Sequence, residues 1–230
     1  MEKQVETELK LKLAPGSLAA FLAAPLVVDR CLPGSSRELK LVSTYYDTKT
    51  MTLQQAGLAY RVRQTGTAAF EATVKMDKGL IRDGLSERRE ITVPLKAAVP
   101  EVAAFTGAGF NLAAVVGKAV LGPLFTVTVT RQVKLLQIAA DTVAELAIDR
   151  GEVRAGAKAA VIDEIELELK SGSLKKLLAY AVLLTEHFPM TVALQSKYEQ
   201  GLKLLGYAAA SADREEIPAG PALKKLAATL

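Results

Sequence analysis

The segment Val5–Leu13 carries its charged side chains at every second position. Successive side chains of a β-strand point to opposite faces, so these charges share one face of a predicted strand. The charged face holds Glu6, Glu8, Lys10 and Lys12. One such strand is ordinary, because a solvated sheet face is often charged. The recurrence of the pattern is what limits the folds open to this chain.

Six later segments also alternate apolar with polar residues, as half-buried strands do. They are residues 58–64, 70–75, 87–93, 124–136, 144–148 and 163–169. Their charged faces hold Arg61 and Arg63, then Glu71 and Lys75, then Arg88 and Glu90, then Glu145 and Asp149, then Glu164, Glu166 and Glu168. Helical periodicity falls between them at residues 17–28, 111–121, 174–187 and 197–205. The sequence therefore predicts an α+β fold in which helices cover a sheet.

Turn residues predict two hairpins between strand-like runs. Asp83-Gly84 precedes one strand, and the run from Asp149 to Glu152 separates two others.

A closed antiparallel barrel explains the charged faces better than a flat sheet, although a flat sheet with one wet face would show the same alternation. The amphipathic helices need apolar sheet surface to cover, which turns the charged faces inward if the sheet closes. Like charges are also grouped, as in Glu6/Glu8 and Glu164/Glu166, where a soluble surface gains by mixing signs.

Clustered carboxylates inside a barrel need a compensating cation. Two like charges ~4 Å apart repel by about 4 kcal/mol at an effective dielectric near 20. Oxygen ligands without histidine or cysteine favour Mg²⁺ or Mn²⁺, which proteins commonly share with phosphate oxygens. The arginines and lysines of neighbouring strands are then interpreted as phosphate clamps.

Composition argues against several other classes of protein. The 29 basic and 25 acidic residues leave a net charge of +4, which is too evenly spread to favour nucleic acid as a partner. The single cysteine excludes an internal disulfide and indicates a reducing, cytoplasmic location. We expect no membrane span, since apolar runs are short. The single histidine, His187, is expected at a helix end, which argues against histidine-based metal or triad chemistry.

Several motifs, in this order, resemble the CYTH superfamily, also called triphosphate tunnel metalloenzymes. The family's N-terminal Glu-x-Glu-x-Lys stands here as Glu6-Thr7-Glu8-Leu9-Lys10. The similarity continues at residues 44–48 (TYYDT), 57–63 (GLAYRVR), 73–75 (TVK), 88–90 (RRE), 148–153 (IDRGEV), 164–169 (EIELEL) and 196–197 (SK). Residues 151–156 and 164–172 look most like the bacterial inorganic triphosphatase branch.

The resemblance implies a closed antiparallel β-barrel of eight strands and a role for each matching residue. Residues facing the divalent metals would be Glu6, Glu8, Glu164 and Glu166, with Asp149 and Glu168 as further metal candidates. Residues binding the substrate would be Lys10, Lys12, Arg61, Arg63, Lys75, Arg88, Arg131 and Lys197. Residues taking part in catalysis would be Glu6, Glu8, Lys10 and Glu90, and Glu145 is a second-rank candidate. Alternation alone places Arg131 on an apolar face with Val129, so either a bulge intervenes or the family match does not hold there.

The implied activity is metal-dependent hydrolysis of inorganic triphosphate (tripolyphosphate). Alternatives on the same fold are a nucleoside or thiamine triphosphatase, an adenylate cyclase, and a polyphosphate-binding module without turnover. No aromatic cluster in the sequence marks a purine or thiazole pocket. We expect a tunnel domain over residues 1–207 and a linker or tail over 208–230, leading in a longer protein to a helical CHAD domain.

Overall fold

The computed structural model describes residues 5–76, 80–207 and 216–229, with the backbone alone at Leu80 and Ile81. Ten strands lie within these ranges. They are β1 Val5–Leu13, β2 Arg37–Asp47, β3 Leu58–Thr65, β4 Ala69–Met76, β5 Leu80–Arg82, β6 Leu85–Leu95, β7 Gly122–Ala139, β8 Thr142–Ala155, β9 Lys158–Ser171 and β10 Met190–Val192.

The helices of the same ranges are short, except for the one after β9. They are α1 Leu18–Ala23, α2 Pro25–Val28, α3 Thr52–Gln55, the 3₁₀ helix η1 Val102–Ala108, α4 Leu112–Val116, α5 Leu174–His187, α6 Lys197–Leu205 and α7 Ala219–Ala227. Within the described ranges, each helix is too short or too polar to cross a membrane.

Eight antiparallel strands close into the expected barrel. Their order is β1-β9-β8-β7-β2-β3-β4-β6, and β6 returns to pair with β1 through Glu6↔Arg88 and Leu9↔Leu85. Two short strands extend the sheet at this seam, where β10 pairs with β1 and β5 pairs with β6. The structure confirms the closed tunnel fold.

The outer faces of the strands are apolar and lie under helices, as the helical periodicity predicted. Leu9 and Leu11 of β1 are fully buried in a cluster that includes Leu178 of α5. On the opposite side, Tyr60 of β3 is buried with Phe105 of η1. Closure therefore directs the alternate, charged positions into the barrel.

One end of the barrel interior is apolar, which explains the position of Arg131. Val127, Val129 and Arg131 share a face of β7, and this face points inward. The two valines pack against α6 residues such as Leu202, while Arg131 reaches the charged zone further along. No bulge is needed at Arg131, because the expectation that its apolar face points outward was wrong.

The two predicted turns have different outcomes. Asp83 and Gly84 join β5 to β6, and both have positive φ, 49° and 84°, as type I′ hairpin turns require. The predicted turn at residues 149–152 is wrong, because β8 runs through it without a break. A Cβ at Gly151 would lie 2.0 Å from the carbonyl oxygen of Thr128, so this glycine lets the backbone of β7 approach closely.

Two predicted helices are shorter than their periodicity indicated. The helix expected over residues 17–28 divides at Ala24, which is extended because Pro25 follows it. The helix expected over 111–121 ends at Val116, since Gly117 adopts φ 63°.

Part of the expected tail packs on the domain. Ala219, Leu223 and Leu226 of α7 are buried in the cluster below α5. The amide of Val192 donates to the carbonyl of Ile217, which ties the segment to β10. The interpretation of residues 208–230 as a connection to a further domain stays a prediction.

Asp47 stabilises the loop between β2 and β3. Its carboxylate is 1% exposed and accepts hydrogen bonds from the backbone amides of Thr48, Leu53 and Gln54 at 2.7–2.9 Å. We expect Asp47→Ala to lower the free energy of unfolding by about 3 kcal/mol, because buried donors lose a charged acceptor. Urea denaturation measures this, and the exposed neighbour substitution Lys49→Ala should stay within about 0.5 kcal/mol of the parent. An Asp47→Ala variant as stable as its parent would contradict the assignment.

Candidate functional site

The interior of the barrel forms a charged cavity in which basic side chains outnumber acidic ones. Among the described residues, seven basic and three acidic residues line it. The basic ones are Lys10, Arg61, Arg63, Lys75, Arg88, Arg131 and Lys197, and the acidic ones are Glu6, Glu8 and Glu166. Such an excess of positive charge in an enclosed space favours a polyanion.

Behind one wall, three carboxylates converge on the ammonium group of Lys197. Its Nζ lies 2.7 Å from Asp149 Oδ2 and 2.8 Å from Glu166 Oε1, and it also contacts Glu164. Helix α6 delivers this lysine as its first residue, directly after Ser196. Ser196 and the glutamate three residues later form a capping box, so the sequence fixes where the helix begins.

Arg131 binds two of the same acids. Its Nε and Nη2 donate to the two oxygens of Asp149 at 2.7 and 2.6 Å, and Nη2 also lies 2.5 Å from Glu166 Oε2. The strands supply these contacts directly, because Arg131 pairs with Asp149 in register and Asp149 pairs with Glu164. Lys10 is a third cation beside this group, with its Nζ 3.5 Å from Glu166 Oε1.

The pKa shifts of Glu164, Glu166 and Lys197 follow from their burial and from these ion pairs. Burial opposes ionisation of every acid, yet Lys197 and then Arg131 hold the pKa of Glu166 well below its usual range. Burial raises the pKa of Glu164 despite Lys197, so Glu164 is the acid that most readily takes a proton. Burial also opposes the charge of Lys197, but the three carboxylates raise its pKa well above the ordinary value.

A second set of acids lies on β1 and β6. Glu8 Oε1 accepts from Lys10 at 3.1 Å and from Arg88 at 3.2 Å. Lys75 binds Glu6 Oε2 at 3.2 Å and also contacts Glu90. Burial raises the pKa of Glu6, whereas Lys75 lowers the pKa of Glu90 to about 2 against the effect of burial. Glu90 is therefore the ionised partner of Lys75.

The two arginines of β3 stand in different electrostatic environments. Burial opposes the charge of Arg61, but Tyr45, Glu90 and Glu6 raise its pKa. Burial, followed by the charges of Arg61 and Arg131, lowers the pKa of Arg63 to about 10. The Nε of Arg63 donates to Ser43 Oγ at 3.0 Å. Its Nη1 lies 3.8 Å from Glu71 Oε1, which is a long ion pair. A guanidinium with a depressed pKa gains from a bound anion, since the anion offsets its repulsion by neighbouring cations.

An aromatic cluster borders the cavity, although the sequence did not reveal one. Tyr45 stacks on Phe125 with ring centroids 4.8 Å apart, and Tyr198 tilts against Tyr45 at 5.5 Å. Tyr45 and Tyr198 line the cavity. These residues come from β2, β7 and α6, so no local sequence signal could have joined them. Their faces pack on one another, which distinguishes the cluster from an open slot for a base.

Some predicted site residues lie away from the cavity lining. Lys12 forms an ion pair with Glu216 beside a larger, mostly apolar groove of about 820 Å³ outside the barrel. Glu168 binds Lys170 at 2.8 Å and is opposite Glu145 on the adjacent strand. Asp149 and Glu164 lie one layer behind the lining, at 0% and 2% exposure. The structure thus brings most, though not all, of the predicted set together.

The carboxylates fit a hard divalent cation in their chemistry. Oxygen atoms of Asp149, Glu164 and Glu166 lie within 4.8 Å of one another, and Glu6 and Glu8 line the cavity together with Glu166. Carboxylate oxygens are the ligands that Mg²⁺ and Mn²⁺ favour. In the structure, Lys197 contacts Asp149, Glu164 and Glu166, and Arg131 contacts Asp149 and Glu166, so these cations compensate the clustered carboxylates.

Comparisons with known proteins agree with this geometry. The inorganic triphosphatase of Haemophilus influenzae is 28% identical over 204 residues, which cover 86% of this chain and 54% of that protein. The chain thus spans about half the length of this curated relative, and a CHAD domain beyond it stays a prediction.

Two solved structures share the fold. A candidate adenylyl cyclase from Hippeastrum with a dominant triphosphatase activity has a TM-score of 0.55 at 17% identity, covering 91% of this chain and all of that one. A protein from Pyrococcus horikoshii OT3 has a TM-score of 0.50 at 18% identity, covering 86% and 98%. The CYTH domain model matches residues 4–201, nearly the whole charged barrel. The chain therefore belongs to the CYTH domain family.

Proposed function

We propose that this chain hydrolyses inorganic triphosphate to phosphate and pyrophosphate in a reaction that depends on Mg²⁺ or Mn²⁺. The observation that carries the proposal is the cavity lining, in which seven of the described cations face three described carboxylates inside a closed barrel. A compact, highly charged anion matches this lining. The Haemophilus influenzae relative, itself named an inorganic triphosphatase, supports the choice of substrate.

The acids would hold the metal and the bases would hold the phosphates. We assign metal binding to Glu6, Glu8, Glu164 and Glu166. The metal would neutralise charge on the phosphoryl oxygens and help to position the attacking water. Asp149 is a weaker metal candidate than expected, because both of its oxygens already bind Arg131 and Lys197 and it is fully buried behind the cavity lining. Glu166 binds the same two cations, but it lines the cavity. Glu168 is weaker too, since it lies outside the lining.

The basic residues would work by exchanging partners. Without substrate, Lys10 and Arg88 are neutralised by Glu8, and Lys75 by Glu6 and Glu90. A triphosphate entering the cavity competes for these cations and releases carboxylates for the metal. Arg63 needs little such exchange, because burial and the neighbouring charges of Arg61 and Arg131 already disfavour its cation. Catalysis would then depend on fixed charges aimed at the phosphoryl oxygens.

A substrate panel tests the proposal. Phosphate release is measured from tripolyphosphate, ATP and thiamine triphosphate, each with Mg²⁺, Mn²⁺ or a chelator, and cyclic AMP is measured with ATP. We expect metal-dependent release that is fastest from tripolyphosphate.

Each other result selects an alternative. Faster release from ATP or thiamine triphosphate would replace the inorganic substrate with an organic one, and cyclic AMP would indicate a cyclase. Binding of tripolyphosphate without release would identify a polyphosphate-binding module.

A further inference from the structure

Helix α6 has a glycine at its centre, where glycine is a poor choice. Gly201 is the fifth of nine residues in the helix and is buried. Glycine loses more backbone freedom on folding than alanine, so it weakens a helix interior. Its presence here calls for a packing reason.

The reason is the ring of Phe125 on β7. An ideal Cβ at Gly201 would lie 2.2 Å from Cε2, 2.3 Å from Cζ and 2.5 Å from Cδ2 of Phe125. Carbon atoms in contact lie no closer than about 3.5 Å, so even a methyl group would collide with the ring edge. The missing side chain lets α6 sit directly on β7.

The ring has little room to move aside. Phe125 is 4% exposed and stacks on Tyr45 at an interplanar angle of 24°. Its centroid is also 6.0 Å from that of Tyr198. Displacing the ring would disturb a wall of the charged cavity, because both tyrosines line it.

Gly201 and Lys197 lie on the same face of α6, one turn apart, since residues i and i+4 of a helix are neighbours. The glycine contact therefore sets how deeply the lysine enters the barrel. An outward shift of the helix by about 1 Å would lengthen the 2.7 and 2.8 Å contacts of Nζ with Asp149 and Glu166 beyond normal ion-pair hydrogen bonds.

We propose that Gly201 and Phe125 are positioning residues that fix the Lys197 ammonium among its three carboxylates. The consequence for hydrolysis rests on the proposed function. The position of Lys197 itself does not, so it is measured separately from turnover.

The experiment compares Gly201→Ala, Phe125→Leu, the double variant and Gln200→Ala. Trace acetylation with acetic anhydride, read by mass spectrometry, reports the accessibility of Lys197, which is 7% exposed. Exposed Lys203 on the same helix is the internal reference.

We expect Gly201→Ala to raise Lys197 labelling roughly tenfold, equivalent to about 1.4 kcal/mol of overpacking, and to lower kcat/KM for tripolyphosphate by a similar factor. The double variant should regain protection, and Gln200→Ala should match the parent.

The proposal is overturned if Gly201→Ala leaves Lys197 as protected as in the parent, or if the smaller leucine side chain that replaces Phe125 fails to restore protection in the double variant. If Gly201→Ala does not fold, the comparison of Phe125→Leu with the double variant decides, and a double variant that also fails to fold contradicts the inference. A parent protein without turnover, combined with the expected labelling pattern, would remove the proposed function and leave the positioning role intact.

Discussion

The Glu6→Gln variant is expected to lose metal-dependent triphosphate hydrolysis by at least about 100-fold while keeping its fold, since even outer partners of a metal contribute about 10–100-fold. The amide keeps the shape of the side chain but removes its anionic oxygen. Stability should change little, because burial raises the pKa of Glu6 and the folded protein therefore does not favour its charge. Lys75 keeps Glu90 as its ionised partner.

Initial rates of phosphate release over a range of Mg²⁺ and Mn²⁺ concentrations measure this effect, and urea denaturation checks the fold. Glu38→Gln, on the exposed outer face of β2, is the matched control and should retain the parental rate. A Glu6→Gln variant with near-normal turnover at saturating metal would remove Glu6 from the proposed metal site.

The period-two charge pattern was sufficient to predict the barrel, because closing the sheet forces one face of every strand inward. Glu6, Glu8 and Lys10 follow from parity alone, and the structure places all three in the cavity. The same rule failed at Arg131, where it assumed that apolar residues point outward. The interior is apolar beneath α6, and alternation within a single strand cannot reveal what covers that end of a barrel.

Long-range contacts account for most of what the sequence did not show. Strand β2 was not predicted from its own pattern, because its inward positions are apolar at Leu41 but polar at Ser43. The ion pair of Lys12 with Glu216 joins residues 204 positions apart and removes Lys12 from the tunnel. The position of a residue along a strand predicts which face its side chain occupies, but it does not predict which distant residue that side chain contacts.

The Lys197→Met variant is expected to lose about 3–5 kcal/mol of unfolding free energy at neutral pH, the usual effect of removing one member of a buried ion pair. Methionine fills similar space without charge, so among the described residues Arg131 and Lys10 would remain as the cations paired with Asp149 or Glu166. Hydrolysis should also fall sharply if Lys197 holds phosphate.

The pH dependence separates this electrostatic cause from simple loss of packing. In the parent, Lys197 lowers the pKa values of Asp149 and Glu166 against burial, so their contribution to stability is present above the ordinary carboxyl range and is lost only as pH falls through the depressed folded values. In the variant, Arg131 and Lys10 offset burial only in part, so those pKa values rise above their parental values. The folded variant then takes up protons more readily than the parent, and it loses less stability as pH falls toward about 4. The difference in unfolding free energy between the two proteins, measured by urea denaturation from neutral to acidic pH, should therefore shrink on acidification.

The control variant Lys224→Met, which breaks an exposed pair with Glu186, should lower the unfolding free energy by at most about 1 kcal/mol. A Lys197→Met deficit that stays constant with pH would show that the lysine stabilises the barrel through packing alone.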